Sequence, residues 1–544
     1  MKPHLLFRQE TFSPSWGMIR TSPSPAWWKN RDVQKQWEML PADRRMLTDD
    51  LELDILFDAM ARRDRFLFEV AKNVVLTYVT DADTIRYRQE ILRDCLNHPE
   101  AIRAIYAITA EAIERHREEV RWYLSQSPDS IRSTSIKALE LFIVRLTELR
   151  ETIASHGPAF ESEGLQALAA MFENELSDEF FAGIRELLEE LKFPHGIRIR
   201  AGLGQGNRGE NYALQRARKA ERQGWLSRVF SREGSSRYSF TIHERDEAGF
   251  RALAELKGRG MNTASNALAQ SSDHILAFLV ALKTELGFYI GCLNLWEELT
   301  RLGEPVCFPV ALDPGHHTLS YAGLYDPCLA LRMGQPVVAN DADAEGIDLV
   351  VITGANRGGK STLLRSIGLA QLMMQAGLFV PADLFTSGIC TGIHSHFGRE
   401  EDSTMQSGKF DEELGRMSGI VDLLKPDSMV LFNESFAATN EREGSEIARQ
   451  IVCALLERRI RVVFVTHLSE FACTLYERRM KNALFLRAER EADGTRSFRV
   501  TVGEPLQTSY GEDLYARIFT GAFPGPAPDG SNRPPRPRSG DRTR

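Results

Sequence analysis

The segment from Gly354 to Ser361 has the residue spacing of a loop that binds the phosphates of a nucleotide. Its sequence, GANRGGKS, agrees with the pattern Gly-x-x-x-x-Gly-Lys-Ser/Thr. It follows the apolar run Leu349–Thr353, a predicted strand, and opens a helical pattern that ends at about Gln375. Backbone N–H groups and the positive end of the helix dipole point into such a loop. We therefore expect Lys360 to bridge the β- and γ-phosphates and the Ser361 hydroxyl to bind Mg²⁺.

Two later apolar runs end in polar residues that could complete the chemistry. Asn433 and Glu434 follow the run Met429–Phe432, and His467 follows Val462–Val465 after one threonine. Glu434 is the candidate general base for attack by water. Asn433 could accept a hydrogen bond from a magnesium-bound water but adds no negative charge, so we expect slow hydrolysis. His467 could contact the γ-phosphate, and the alternative is an ordinary surface histidine.

The spacing of apolar residues predicts two helical regions and one α/β region. Apolar residues recur every three or four positions from about Leu51 to Lys192 and again from Glu247 to about Leu302. The helices predicted in the first region are Ala59–Val79, Asp81–Leu96, Pro99–Ser125, Ile131–Ser155 and Leu165–Leu191. Between the two regions, Ile197–Arg200 and Arg237–His243 alternate as strands do, with glycines such as Gly209 marking loops. From about His316 to Phe519, short apolar runs alternate with helical patterns, which predicts a parallel sheet covered by helices.

The segment from Ile197 to Arg237 is basic within an acidic chain. The 544-residue sequence has 67 Lys and Arg against 75 Asp and Glu, a net charge of −8. The segment's basic residues are Arg198, Arg200, Arg208, Arg216, Arg218, Lys219, Arg222, Arg228, Arg232 and Arg237, against Glu210, Glu221 and Glu233. Since phosphate neutralisation supplies most non-specific DNA affinity, this segment is a candidate DNA-binding element. The alternative is a solvated helix face around Gln215–Gln223.

The remaining composition favours a cytoplasmic protein. No uncharged apolar run approaches the roughly 18 residues that span a bilayer, and the best, Ile275–Leu282, ends at Lys283. The N-terminal segment lacks the pattern of a secretory signal. The seven cysteines are scattered without a C-x-x-C pair, which predicts neither a zinc site nor a disulfide framework.

These ordered motifs resemble the MutS family of ATPases, whose ATP-binding domain belongs to the ABC class. Residues 353–362, TGANRGGKST, resemble the family's TGPNMGGKST and differ at Ala355 and Arg357. Residues 407–413, SGKFDEE, lie where the family has S-T-F-x-x-E and share Phe410 and Glu413. The other matching segments are Phe397-Gly398 with Glu401-Asp402, Asn433-Glu434, Thr439-Asn440 with Glu443-Gly444, Val465-Thr466-His467 with Glu470, Pro336–Asn340 and Thr508–Gly511.

The resemblance implies a dimer that binds ATP and Mg²⁺ between two copies. The phosphate loop of one copy would face the signature helix of the other, with Gly408 allowing close approach of the backbone. Ser407 or Lys409 would donate to the γ-phosphate, and the alternative for Lys409 is an exposed side chain. The implied nucleotide-binding residues are Asn340, Gly354, Ala355, Asn356, Arg357, Gly358, Gly359, Lys360, Ser361, Thr362, Ser407 and Gly408. The implied catalytic residues are Glu434, His467 and Lys360, and the implied metal ligands are Ser361 and, through water, Asn433.

The predicted architecture is a multidomain chain, with an all-α core and lever body followed by an α/β ABC-type P-loop ATPase domain. Its predicted parts are an N-terminal extension (residues 1–50), a core, lever and clamp-like region (51–315) with a basic β-containing insertion at about 196–245, the ATPase domain (316–520) and a disordered tail (521–544). The family's mismatch reader carries a Phe-x-Glu wedge, but both such triplets here, at Phe410 and Phe432, fall in the ATPase region. We therefore expect no mismatch-recognition domain ahead of Leu51, and no nuclease-type domain.

The function expected from these residues is ATP-dependent DNA binding of the MutS type, in mismatch repair or recombination, with ATP hydrolysis across a dimer interface. The alternative is a nucleotide-gated DNA scaffold that binds ATP with little or no hydrolysis. An ABC transporter ATPase is disfavoured because the sequence has no L-S-G-G-Q signature. A small-molecule kinase is disfavoured because nothing resembles an acceptor pocket.

Overall fold

The chain divides into two compact units. The computed structural model describes residues 2–8, 42–120, 127–194, 196–207, 209–215, 241–243, 245–399, 408–489 and 496–505. One unit is formed by residues 1–36 with 90–290, and the other by residues 37–89 with 291–544.

Helices make up most of the first unit and cover the sheets of the second. The described helices are α1 (Ala42–Asp50), α2 (Leu53–Ala61), α3 (Arg65–Leu76), α4 (Ala82–Asn97), α5 (Pro99–Val120), α6 (Pro128–His156), α7 (Glu163–Glu175), α8 (Asp178–Leu191), α9 (Glu247–Leu302), α10 (Pro327–Met333), α11 (Lys360–Ala376), α12 (Lys409–Leu423), α13 (Glu441–Glu457) and α14 (Ser469–Glu477). The mixture of helical and sheet regions expected from the sequence is confirmed, while the assignment of core, lever and clamp stays a prediction.

Three sheets are formed by the described strands. The strands are β1 (Arg198–Leu203), β2 (Gly209–Gln215), β3 (Val310–Leu312), β4 (Thr318–Leu324), β5 (Asn340–Glu345), β6 (Leu349–Gly354), β7 (Leu384–Gly388), β8 (Ile393–Phe397), β9 (Met429–Asn433), β10 (Arg461–Val465), β11 (Ala483–Ala488) and β12 (Val500–Val502). The six-stranded sheet has the order β12-β11-β6-β10-β9-β8 and is parallel except for β12. A four-stranded sheet, β3-β7-β4-β5, belongs to the same unit, and β1 and β2 form an antiparallel hairpin in the other.

Two of the predicted helices are each broken into two. The prediction Ala59–Val79 is wrong because Arg62 and Arg63 adopt positive φ angles of 45° and 71°, which end α2. Asp64 then caps α3 by accepting hydrogen bonds from the N–H groups of Phe66 and Leu67. The prediction Leu165–Leu191 is wrong for a similar reason, since Ser177 caps the start of α8. In both places a capping side chain outweighs the continuous apolar period.

The β-hairpin of the first unit differs in part from its prediction. Strand β1 confirms the strand expected over Ile197–Arg200, with a start one residue later. Its partner is β2, at a position where Gly209 was predicted to mark a loop. The strand predicted over Arg237–His243 is wrong for residues 241–243, which are not in a strand, and its other residues lie outside the described ones.

The long helix α9 is the one described helix that is long and apolar enough, by length and composition, to cross a membrane. No uncharged run of that length marks this helix in the sequence, because Lys283 and Glu285 interrupt its apolar residues. Of the most apolar part of α9, 67 % is buried inside the protein, which is the pattern of a core helix. Tyr289 illustrates this packing, since it is fully buried and its hydroxyl donates to the Leu5 carbonyl.

Helix α11 packs against the six-stranded sheet so closely that it needs a glycine at the contact. A Cβ on Gly368 would lie 2.6 Å from Leu431 Cδ1 and 3.0 Å from Leu51 Cδ2. The helix starts and ends one residue outside its predicted limits, Ser361 and Gln375. Gly377 ends it with a φ of 86°. This packing fixes the start of α11, and with it Lys360, relative to the sheet.

Candidate nucleotide-binding site

Strands β6, β10 and β9 are adjacent and parallel, so their carboxyl ends meet at one edge of the sheet. Val465, the last residue of β10, is paired with Ile352 on one side and Asn433 on the other. The loop after β6 contains Lys360 at its end, while Glu434 and His467 follow the other two strands. The structure therefore brings together the predicted phosphate loop, the candidate base and the candidate histidine.

The phosphate loop requires glycine at two positions for both its conformation and its space. Gly354 has a φ of 109°, and a Cβ there would lie 2.9 Å from the backbone nitrogen and oxygen of Ala488. Gly359 has a φ of 90°, and a Cβ there would lie 2.9 Å from the carbonyl oxygen of Phe498. Since L side chains rarely adopt such φ angles, substitution at either position would strain the loop.

The Lys360 ammonium group lies inside the loop. Its Nζ donates to the carbonyl oxygens of Gly354 at 3.1 Å and Ala355 at 3.0 Å, and the residue is 4 % exposed. Burial lowers the pKa of Lys360 to about 8, against the opposing effect of the nearby Glu434 charge. The ammonium group is thus held by two neutral carbonyl oxygens, at the point where a phosphate would give it an anionic partner.

The two predicted metal ligands contact each other. Ser361 Oγ donates a hydrogen bond of 2.8 Å to Asn433 Oδ1. Hydroxyl and amide oxygens are hard ligands of the kind that Mg²⁺ accepts, so the donor set suits this ion. The pair has no formal negative charge. The phosphates and water would therefore have to supply the negative charge and the remaining oxygen ligands of the ion.

Glu434 and His467 form a hydrogen-bonded pair. His467 Nε2 lies 2.8 Å from Glu434 Oε1, and the Glu434 N–H donates to the Val465 carbonyl at 2.9 Å. The hydrogen bond from His467 holds the pKa of Glu434 below its ordinary value, with burial opposing it and the charges of His467 and Lys360 assisting. Glu434 is therefore ionised at neutral pH and can accept a proton, while 45 % of its side chain stays open to solvent.

A backbone hydrogen bond from Gly398 holds the end of β9. The Gly398 N–H donates to the Asn433 carbonyl at 2.8 Å. A Cβ on Gly398 would lie 3.0 Å from the Glu434 carbonyl oxygen. The backbone that carries Asn433 and Glu434 is therefore tied to the end of β8.

Two family models match separate parts of the chain. Residues 80–302 match the model described as MutS2 N-terminal domain. Residues 350–518, which include the whole edge described above, match the model described as MutS domain V. The chain belongs to the MutS family.

Curated members of the MutS family are similar to part of the chain. Endonuclease MutS2 of Carboxydothermus hydrogenoformans is 32 % identical over 161 residues, which are 29 % of this chain and 20 % of that protein. DNA mismatch repair protein MutS of Thermus aquaticus is 34 % identical over 169 residues, 31 % of this chain and 21 % of that protein. Endonuclease MutS2 of Lachnoclostridium phytofermentans is 26 % identical over 321 residues, 55 % of this chain and 39 % of that protein. The matched part of the chain thus spans well under two thirds of each relative.

Other residues named from the MutS resemblance lie at the site or near it. Asn356 and Arg357 are exposed in the phosphate loop, Arg357 with a φ of 58°, while Ala355 and Gly358 are buried. Thr362 is half-buried in the first turn of α11. The residues of the resemblance that lie outside the described ones are Glu401, Asp402, Ser407 and Thr508–Gly511.

Two other predicted residues belong to different elements from the phosphate loop. Asn340 is 8 % exposed at the start of β5, and its Oδ1 accepts a hydrogen bond of 2.7 Å from the Val500 N–H. Gly408 is the exposed residue that precedes α12, with a φ of −62° and a ψ of 148°. The implied role of Asn340 in nucleotide binding therefore has to allow for its hydrogen bond to β12.

The segment from Arg496 to Val500 lies against the phosphate loop, and no prediction from the sequence placed it there. Its Phe498 carbonyl would contact a Cβ at Gly359, as described above, and the positive charge of Arg496 acts on Lys360. The segment reaches the loop because β12 pairs with β11, Val500 opposite Ala488. No spacing or motif marks it in the sequence, since the contact depends on strand pairing.

Proposed function

We propose that this chain is an ATP-dependent DNA-binding protein of the MutS type, which hydrolyses ATP between two copies of itself to control its grip on DNA. The observation that carries the proposal is the meeting of Lys360, Ser361, Asn433, Glu434 and His467 at one sheet edge. The family membership supports it, because the names of the MutS relatives given above refer to DNA mismatch repair and endonuclease proteins.

In the proposed mechanism the phosphate loop binds the triphosphate through its backbone N–H groups and Lys360. The lysine exchanges the Gly354 and Ala355 carbonyl oxygens for β- and γ-phosphate oxygens, and this exchange favours its charged form. Mg²⁺, held by the Ser361 hydroxyl and through water by Asn433, would neutralise charge on the phosphate oxygens. The start of α11 adds its positive dipole end to the same site.

Glu434 is the proposed general base. Its carboxylate is ionised and exposed enough to accept a proton from a water molecule that attacks the γ-phosphate. His467 holds one carboxylate oxygen and leaves the other open. His467 lies two residues beyond β10, and its Nε2–H could donate to a γ-phosphate oxygen in place of the Glu434 carboxylate.

Gly408 supports the proposal of a site shared between two copies. A Cβ on Gly408 would meet open space among the described residues, and its φ of −62° is open to any residue. Nothing in the described part of one chain therefore requires glycine there. A second copy's triphosphate, approaching the start of α12, would require a residue without a side chain.

The DNA-binding element is proposed to be the basic segment between Ile197 and Arg237. Of its basic residues, Arg198 and Arg200 lie on β1 in the described part, and both are exposed. The residues from 216 to 237 lie outside the described part. A β-hairpin with exposed arginines is suited to contacts with DNA phosphates.

The second candidate function is the nucleotide-gated DNA scaffold, which the uncharged Ser361–Asn433 pair favours. Steady-state phosphate release by the purified protein in Mg²⁺ and ATP separates the two. We expect measurable release that falls about 100-fold in Glu434→Gln with ATP binding retained. Glu457→Gln, at an exposed glutamate of α13, is the matched control and should release phosphate like the wild type. Release no faster than that of Glu434→Gln would favour the scaffold.

A further inference from the structure

The turn after β9 contains two non-glycine residues in the left-handed region of backbone space. Glu434 has a φ of 53° and Phe436 a φ of 65°. The conformation is rare for side chains other than glycine, and most unfavourable for bulky ones such as phenylalanine. Such strain persists only where the surrounding structure holds it. Some contact must therefore hold the turn that carries the candidate base.

Ser435, the residue between them, is tied to β8. Its hydroxyl lies 2.6 Å from the His396 carbonyl oxygen and 2.7 Å from His396 Nδ1. Ser435 is fully buried and His396 is 1 % exposed, so water does not compete for these hydrogen bonds. The serine hydroxyl thus links the centre of the strained turn to a neighbouring strand.

His396 connects the same turn to the start of α12. Its Nε2–H donates to the Glu413 carbonyl at 3.0 Å, which requires the proton on that nitrogen. Burial lowers the pKa of His396 to about 4, so the ring is neutral and Nδ1 is an acceptor. The Ser435 hydroxyl therefore shares its one proton between the His396 carbonyl oxygen and Nδ1. The ring also stacks on Phe436, with centroids 5.3 Å apart and planes 18° from parallel. One imidazole therefore contacts two residues of the turn and one of α12.

We propose that His396 and Ser435 are positioning residues for Glu434, and that their hydrogen bond holds the turn in the conformation that presents the Glu434 carboxylate to His467 and the nucleotide. The inference rests on the proposed function for its effect on hydrolysis, since Glu434 is the general base only there. Lys360 and Ser361 lie on α11 and have no hydrogen bond to this network. Loss of the Ser435 hydroxyl should therefore impair hydrolysis and spare nucleotide binding.

Four variants test the proposal. Ser435→Ala removes the hydroxyl. His396→Asn keeps an amide near the position of Nδ1, and His396→Gln keeps one near the position of Nε2. Ser395→Ala is the matched control, because Ser395 is the residue before His396 in β8, is also buried, and donates to Asp50 instead.

We expect kcat for ATP hydrolysis to fall about tenfold in Ser435→Ala while the Kd for ATP changes less than about twofold. His396→Asn should keep more of the wild-type kcat than His396→Gln, and Ser395→Ala should keep all of it. A merely structural role predicts a parallel loss of binding and hydrolysis, and no difference between the two His396 variants. Either of those results would overturn the proposal.

A crystal structure of Ser435→Ala gives a test that does not depend on hydrolysis. We expect the φ angles of residues 434 and 436 to leave the left-handed region and the 2.8 Å contact between Glu434 and His467 to be lost. Retention of both features would overturn the positioning proposal. If the wild type proves unable to hydrolyse ATP, the proposed function fails and this structure decides the positioning role alone. If Ser435→Ala does not fold, the structure of His396→Gln is judged by the same two features.

Discussion

The Ser361 hydroxyl donates to the amide oxygen of Asn433 at 2.8 Å, so the two predicted metal ligands contact each other. The pair offers two oxygen atoms to the proposed magnesium site but no negative charge. Hydrolysis by this chain should therefore depend unusually strongly on the concentration of Mg²⁺.

Asn433→Asp should restore the missing charge. We expect the Mg²⁺ concentration that gives half-maximal ATP hydrolysis to fall about tenfold, because a carboxylate binds the hard cation more strongly than an amide. The measurement is a magnesium titration of phosphate release at saturating ATP. Asn440→Asp adds the same charge at an exposed helix cap, where aspartate also caps well, and should leave the titration unchanged. Equal titrations for Asn433→Asp and the wild type would show that residue 433 is not near the metal.

ATP binding should take up a proton at high pH through Lys360. Without nucleotide, the pKa of Lys360 is about 8. An anionic phosphate beside the ammonium group raises the pKa of Lys360 in the complex. The contribution of the charged lysine to ATP affinity is therefore complete below pH 8 and is lost as pH rises above it. Calorimetry at pH 9 in buffers of different ionisation enthalpy should show uptake of about one proton per ATP. The control Lys481→Met, at an exposed lysine, should keep this proton uptake. Proton uptake that persists in Lys360→Met would show that another group takes up the proton.

Acid should destabilise the fold through two buried histidines of β8. Burial lowers the pKa values of His394 and His396 to about 4, so both stay neutral in the fold while the unfolded chain protonates near pH 6.5. Stability is therefore lost as pH falls below 6.5, by about 2 kcal/mol for each histidine at pH 5. Urea unfolding at pH 7 and pH 5 should show a loss that is about 2 kcal/mol smaller in His394→Gln. The exposed control His274→Gln should lose as much as the wild type, and an unchanged loss in His394→Gln would contradict the assignment.

Charge reversal of the basic segment should abolish salt-dependent DNA binding. The substituted residues are Arg216, Arg218, Lys219 and Arg222, each to Glu. We expect the slope of log affinity against log salt concentration to weaken by about four, since each phosphate contact contributes about 0.9. The measurement is fluorescence anisotropy with duplex and branched DNA at several salt concentrations. The control reverses four exposed residues outside the segment, Arg86, Arg301, Arg458 and Lys481. Equal weakening in both variants would assign the effect to net charge.

The residues that meet at the carboxyl ends of β6, β9 and β10 could be selected from the sequence because each lies within a few residues of a strand end, while their roles stay predictions. The loop from Gly354 to Ser361 and the pairs after β9 and β10 each follow an apolar run, and parallel strands bring such ends together. The contribution of residues 496–500 could not be predicted, because strand pairing rather than spacing brings Phe498 to the loop. Similarly, nothing in the sequence indicated the positive φ of Phe436 or the buried contact of His396 with Ser435.

The helical half was predicted in kind but not in detail. The breaks at Arg62 and Ser177 depend on capping hydrogen bonds that the apolar period does not record. The strand β2 lies in a segment where glycine suggested a loop. The sequence motifs that identified the MutS family all lie at or beyond Pro336, so they gave no specific match for residues 80–302, which match the MutS2 N-terminal domain.

The most direct test of an ATP site shared between two copies is phosphate release from a mixture of two inactive variants. Lys360→Ala should disable the phosphate loop, and Gly408→Trp should block the start of α12, where a Cβ would lie more than 4 Å from every described residue of its own chain except its sequence neighbours. We expect each variant alone to release no phosphate, and an equal mixture to recover about a quarter of the wild-type rate. Half of the randomly formed dimers would then contain one intact site. Wild-type release by Gly408→Trp alone, or no recovery on mixing, would contradict the shared site.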